Sequence, residues 1–391
     1  MRSNHAGEIL IVGGGPVGAT LALALQQKGI PATILEARSH GAAHQDQRAL
    51  ALSYGSRLIF ERLGLWTSLA SQATAIKTIH ISQRGSLGRS RLQARDYDPE
   101  ALGYVLPYGV LSKALDSALS NSSKIQVVYN VQVTNIETTE SQACVSFLEA
   151  ADGNSRQIRV SLAVLADGGN SLTHIPELQR ETTEYGHSAL VAKVSSELPH
   201  DNIAYERFTP AGPVALLPNG DEFSLVWTGE QAEVAQLLQT NDEKFLEELH
   251  RHFGDRVGRF LRVGPRSTFP LKMAYLDPVA MPHLAVIGNA AQTMHPVAGQ
   301  GFNIGMRDAW ALATRIAATD PATLGSREML ESYRKTRQSD TKGGLLFTDF
   351  LVNVFSNELI GLSGVRAAGL GILDVVKPLK QRLVEKMSFG T

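Results

Sequence analysis

One cysteine, Cys144, stands in 391 residues. That scarcity excludes an internal disulfide framework and any cysteine-based zinc cluster, and it fits a reducing compartment. Long apolar runs are missing: no stretch of about 18 apolar residues appears, so nothing is expected to span a bilayer. Charge of one sign is missing as well. Lysine and arginine number 37 against 38 acidic residues, a net of −1, so there is no broad basic field to attract nucleic acid. Residues 1–8 hold no apolar core of the kind a secretory signal needs. There is no H-E-x-x-H pair and no G-x-S-x-G elbow, so no metal site and no serine nucleophile is expected. What remains is a chain 43% hydrophobic, long enough for two domains or for one large α/β unit carrying an insertion.

Glycine is present, in two informative places. Ile9-Leu10-Ile11-Val12 reads as a buried parallel strand. Gly13, Gly15 and Gly18 follow it at G-x-G-x-x-G spacing. The first lets the chain turn, the second lets backbone approach a pyrophosphate, and the third lets a helix pack on the sheet. Pro16 suits the first turn of that helix and Gly29 its stop. A second strand, Ala32–Glu36, ends in an acid 18 residues after Gly18, where a carboxylate accepts hydrogen bonds from an adenosine ribose. Glu36 also argues against a 2′-phosphate, because the charges would repel. This site alone fits NAD or FAD.

The second stretch runs from Gly288 to Asn303, after the apolar strand Leu284–Ile287. Met306, Ala309, Ala313 and Ile316 follow helical spacing, so a helix is expected to begin near Gly301–Asn303. Gly299, Gln300 and Gly301 then sit at its N-terminus, where free N–H groups and the positive dipole end can stabilise the negative charge of a reduced flavin. Glycine on both sides of Gln300 permits close approach. A plain glycine-capped surface loop is the competing reading. A flavin-free nicotinamide dehydrogenase leaves this stretch unexplained. Taken together, the two stretches point to one chain gripping both ends of FAD.

On these residues, with Arg48-Ala49-Leu50-Ala51-Leu52-Ser53, Leu63-Gly64-Leu65-Trp66 and Ala166-Asp167-Gly168, the chain resembles the FAD-dependent aromatic hydroxylases of the para-hydroxybenzoate hydroxylase type. Within them it is most similar to the ubiquinone-biosynthesis hydroxylases, the 2-polyprenyl-6-methoxyphenol hydroxylase branch above all. The resemblance implies that Arg48 reaches the flavin side of the pyrophosphate, that Asp167 and Gly168 lie near it, that backbone at Val133 contacts adenine, and that Phe302 and Asn303 complete the second flavin segment. Arg48 also reads as a solvated helix residue and Val133 as simple strand packing. The family's usual Gly-Asp is Gly288-Asn289 here; asparagine keeps an acceptor oxygen, so FAD binding is expected to survive. His295 either handles the phenol proton or caps the loop, and Pro296 fixes the loop.

The resemblance implies an α/β fold: a Rossmann-like FAD-binding domain with an inserted β-sheet substrate domain and C-terminal helices. The expected divisions are 1–74, 106–177 and 276–344 for FAD, 75–105 and 178–275 for substrate, and 345–391 for the helices. It further implies a monooxygenase that hydroxylates a polyprenylated phenol with O2 through a C4a-hydroperoxyflavin, with NAD(P)H or a separate reductase as electron donor. A hydroxylase of small soluble aromatics and a non-catalytic flavin-binding subunit of a biosynthetic complex are the alternatives. The apolar stripes Leu345–Phe355 and Ile372–Leu383 read as core, oligomer seam or a surface resting on lipid. The expected location is cytoplasmic, peripheral to the inner membrane, with a homo-oligomer or a ubiquinone-synthesis complex as the assemblies to consider.

Overall fold

The computed structural model describes residues 8–85, 89–97, 99–150, 153–209, 211–293, 300–338, 340, 381, 384 and 385. Its organising layer is a six-stranded sheet. Across it run Ala280–Met281, Leu284–Val286, Leu162–Leu165, Ile9–Val12, Ala32–Glu36 and Ile125–Tyr129. All neighbours are parallel except the short first pair. The apolar runs form strands here because both faces are covered: Ile9–Val12 and Leu162–Leu165 are buried at every position. Each such side chain contributes roughly 1.5–3 kcal/mol by leaving water.

The chain leaves Ile9–Val12 for Ala32–Glu36 on one side, while Leu162–Leu165 lies on the other. The order of connection therefore reverses beside the first strand, and a crevice opens at its carboxyl end. The loops after three adjacent strands, at Gly13, Asp167 and Gly288, all come to that end.

A second sheet is mostly antiparallel. Its order is Gln292–Thr293, Ser267–Leu276, Arg180–Ser196, Glu222–Glu230, Val214–Asn219, Ile203–Phe208, Thr78–Gln83 and Arg89–Gln93, with Phe260–Val263 also paired to the long Arg180–Ser196 strand. The largely apolar runs 190–194 and 223–227 lie in strands of it. The helices Gln231–Gln239 and Asp242–Phe253 cover one face through Val234, Phe245, Leu249 and Phe253, which share a core with Leu216, Leu225 and Trp227. The apolar stripes foreseen between Leu345 and Leu383 lie outside the described residues. Of the tail, Val384 is buried against Leu92, Ala94 and Leu102.

Candidate flavin site

Gly13 sits at φ 103°, in the left-handed half of the map that favours glycine. A Cβ there would stand 2.7 Å from the Ala166 carbonyl oxygen and from the Asp167 backbone. The first motif thus touches the Ala166-Asp167-Gly168 segment directly. A Cβ on Gly18 would meet the Gly13 carbonyl oxygen at 2.0 Å, which is the tight turn from strand into the Pro16–Gln27 helix. Asp167 caps the turn that follows: its two carboxylate oxygens accept from the Gly169 and Ser171 N–H groups at 2.9 and 2.8 Å. Gly168 has φ 77° with open space where a Cβ would go.

Glu36 is buried at the end of the second strand. One carboxylate oxygen accepts from the Gly14 N–H at 2.6 Å, and the other accepts from the Arg38 N–H and Nε at 2.9 and 2.8 Å. Burial works against the ionised form, but Arg38 and the Gly14 N–H outweigh it and hold the carboxyl below its ordinary range. An ionised carboxylate has about four acceptor sites, so one remains for a ribose hydroxyl. Arg38, Tyr108 and Arg48 cluster beside it. A Cβ on Gly15 would find only Arg38 Nη2 and the Tyr108 hydroxyl, each at 4.0 Å. Arg48 lies 5.3 Å from the Tyr108 ring centre and is paired with Asp46. Its side chain is 66% exposed, so the guanidinium is not consumed by the core.

The second segment is anchored from three sides. Gly288, at φ 64°, packs on Val17 of the first helix, and so does Gly305. The Gln300–Ala317 helix therefore crosses the Pro16–Gln27 helix in close contact, with Thr20 Oγ1 donating to Met306 Sδ. Asn303 is buried and fully engaged: its Oδ1 accepts from the Ser53 N–H at 2.8 Å and the Ser56 hydroxyl at 2.7 Å, and its Nδ2 donates to Ala51 O at 3.0 Å. That tie explains why the Ala49–Ser53 strand, just after Arg48, belongs to the site. Asp308, also buried, accepts from the Gly288 N–H and from Gln292 Nε2 with one oxygen and from Arg337 Nε with the other. Arg337 in turn meets Asp340, which pairs with Arg307. Asn289 is exposed, and its carbonyl accepts from Arg180 Nη2 at 2.9 Å. Arg180 also donates to the Thr293 hydroxyl, and burial lowers its pKa. His295, Pro296 and Gly299 lie outside the described residues. Gln300 is buried at the start of the helix, Phe302 packs against the main core, and Val133 is buried between strands.

Sequence reasoning missed Arg38, Tyr108, Arg180 and the Asp308–Arg337 pair. Arg38 follows the terminal acid by two positions, and Asp308 is an acid inside an apolar helical stripe. Those were the available signals; Arg180 and Tyr108 left none.

Whether FAD fits can be judged from glycines the fold itself does not need. Gly15 has φ −63°, an ordinary value, and Gly301 lies within a helix with no atom of the described residues within 4 Å of the point where a methyl group would stand. Packing among the described residues forbids a side chain at neither. Close approach by a ligand gives both a reason, at a pyrophosphate for Gly15 and at a flavin ring for Gly301. Gly13 and Gly18, by contrast, are demanded by the fold.

Comparison with known proteins agrees. The FAD binding domain family matches residues 7–343. The ubiquinone hydroxylase of Rhodospirillum rubrum is 33% identical over 397 residues, covering 100% of this chain and 91% of its own. The 3-demethoxyubiquinol 3-hydroxylase of Escherichia coli is 29% identical, covering 98% of each chain. Among solved structures, p-nitrophenol 4-monooxygenase from Pseudomonas putida superposes with TM-score 0.78 at 16% identity over 97% of both chains, a likeness of fold. The chain belongs to the FAD-dependent monooxygenase family that includes the ubiquinone-biosynthesis hydroxylases.

Proposed function

We propose that this enzyme hydroxylates the aromatic ring of a polyprenylated phenol, one step in making a ubiquinone-type molecule. Support comes from similarity to ubiquinone hydroxylases along the whole chain, together with two glycines, Gly15 and Gly301, at which no described residue crowds the place of a methyl group. The balanced reaction takes ring C–H, O2, NAD(P)H and a proton to ring C–OH, water and NAD(P)+. Bound FAD supplies the electron transfer and oxygen activation.

The chain's own residues bind, orient and shield. Glu36 takes a ribose hydroxyl with its remaining acceptor site, while Gly13, Gly15 and the start of the first helix receive the pyrophosphate. Arg48, aided by Arg38, neutralises phosphate charge. Asp167 and Gly168 line the same crevice. Gly288, Asn289, Gly299, Gln300, Gly301, Phe302 and Asn303 form the flavin end, where N–H groups of the second helix oppose negative charge on the ring. Val133 lies along the adenine side. His295 positions the phenol proton and Pro296 fixes its loop. The antiparallel sheet shields the ring from water.

Among the described residues no helix is long and apolar enough to cross a membrane. On the proposed function the enzyme meets its lipid-dissolved substrate at the cytoplasmic membrane surface, alone, as a homo-oligomer or within a biosynthetic complex. The deciding experiment supplies the yellow protein with NADPH, 18O-labelled O2 and detergent-dispersed prenyl phenols, followed by mass analysis. One 18O in a hydroxylated prenyl phenol is the expected result. Turnover of compact phenols alone assigns a soluble aromatic substrate instead, and no substrate-dependent O2 uptake assigns a flavin-binding subunit.

A further inference from the structure

Away from the flavin loops, three strands of the large sheet present an unusual surface. Side chains alternate between faces along a strand. On one face, register places Arg91, His80 and Tyr205 in one row across the strands Arg89–Gln93, Thr78–Gln83 and Ile203–Phe208. Arg89, Ser82 and Arg207 make the next row, and Gln93, Thr78 and Ile203 the one on the other side. Arg256, just beyond the Asp242–Phe253 helix, reaches over this platform and donates to His80 Nε2 at 3.0 Å. A cavity of about 220 Å³ opens there, lined by Thr78, His80, Arg91, Gln93, Tyr205 and Arg256 among others. The opposite face of the same strands carries Ile79, Ile81 and Leu92, packed beside Leu102 and Val384, with Glu206 and Ser90 in the row of Ile81.

The charges that line the cavity itself are positive, Arg91 and Arg256. Apart from burial, Arg207 feels chiefly Arg256 and Arg84, and Arg256 feels Arg89 and Arg91 along with Tyr205. Burial and these like charges lower the pKa of both arginines. Among the described acids nearby, Asp255 pairs with His250 and Glu248 with Arg251, while Asp201 faces Tyr205, whose pKa burial and then this acid raise. Arg207 donates to a backbone carbonyl, that of His252. Arginine has no acceptor, so His80 Nε2 must accept from Arg256 and the ring is neutral. Burial, then Arg256 and Arg91, push its pKa down to about 4, in keeping with that tautomer. His80 thus holds Arg256 in place without neutralising it.

We propose that this cavity and the arginines around it bind a phosphate-bearing anion. The planar guanidinium groups of Arg91, from a strand, and Arg256, from an overhanging loop, line the cavity together and match the several acceptor oxygens of a phosphate, and the Tyr205 and Thr78 hydroxyls add donors of a different kind. The volume limits what enters. Drug-sized ligands occupy about 300–1,000 Å³, so the site suits a phosphate or diphosphate group and not a prenylated ring or a whole dinucleotide. A soluble diphosphate and a phospholipid headgroup share this chemistry. The inference makes no use of the flavin site and stands without the proposed reaction.

The test titrates the FAD-loaded protein with inorganic pyrophosphate in a calorimeter and, in parallel, sediments it with phosphatidylcholine vesicles with and without phosphatidylglycerol. Pyrophosphate is expected to bind saturably, and Arg256→Gln to weaken it about tenfold or more, the change for one charge-assisted hydrogen bond. A double Arg84→Gln, Arg89→Gln variant, altered only at exposed positions, should weaken it too and covers the case in which Arg256→Gln fails to fold. Arg262→Gln, which breaks a surface pair with Glu222, should leave it unchanged. Binding confined to phosphatidylglycerol vesicles, and lost in the same arginine variants, supports the site with a lipid headgroup as its ligand. Absence of both kinds of binding, or equal loss in Arg262→Gln, overturns the proposal.

Discussion

Gly15 and Gly301 allow the cofactor site to be tested with a single methyl group. Gly15→Ala leaves an unstrained backbone and costs the apoprotein no more than about 1 kcal/mol at a helix cap. Gly301→Ala, in a helix, should stabilise the apoprotein by roughly 0.5–1 kcal/mol. Both should weaken FAD about tenfold or more, read by flavin fluorescence titration beside apoprotein melting. Gly18→Ala is the contrast: its methyl would collide with the Gly13 carbonyl, and no folded protein should be recovered. Glu36→Gln should fold, since amide oxygen can replace one acceptor, yet lose FAD affinity because the Arg38 pairing is broken. Glu206 gives a pH signature. Burial pushes its carboxyl from 4.5 up to about 7. The folded state therefore holds a proton that the unfolded state releases, and stability falls as pH rises from about 4.5 to 7. Glu206→Gln should melt higher than the parent at about pH 8 and alike at about pH 4.

Between elements, the Gln300–Ala317 helix is where the site is held in place. Asp308 is buried with Arg337, and removing one partner of such a pair typically costs about 3–5 kcal/mol. Arg337→Leu should show that loss in chemical denaturation and should loosen FAD, because Asp308 also fixes the Gly288 N–H. Asn303→Ala should cost about 1–3 kcal/mol by leaving the buried Ser53 N–H without an acceptor. These ties account for what the sequence could and could not reveal. The parallel strands and both glycine turns were legible because local spacing encodes them: Ile9–Val12, Gly13–Gly18 and the apolar rhythm from Met306 to Ile316. The Asp308–Arg337 and Asn303–Ser53 links join positions brought together only by the fold, and no periodicity marks such pairs. Arg180 was hidden for the same reason. It sits at the start of a strand, and its importance comes from the carbonyl of Asn289 far along the chain.

For the molecule as a whole, the proposed site makes FAD a brace between loops from widely separated parts of the chain. A ligand that binds only the folded state adds about 2.7 kcal/mol at a hundredfold excess over Kd. Stripping the flavin should therefore lower Tm by a few degrees, and readdition of FAD should restore both Tm and colour. The FAD binding domain family matches residues 7–343, a span that includes both glycine segments.

The seat of Val17 against Gly288 and Gly305 has a consequence for biosynthesis. While the ribosome is still translating the middle of the message, the amino-terminal helix has nothing to cover this flank. Chains arrested before Gly288 should emerge sticky, colourless and dependent on chaperones, however much flavin is supplied. Pigment capture is thus among the last events in the life of the nascent polypeptide.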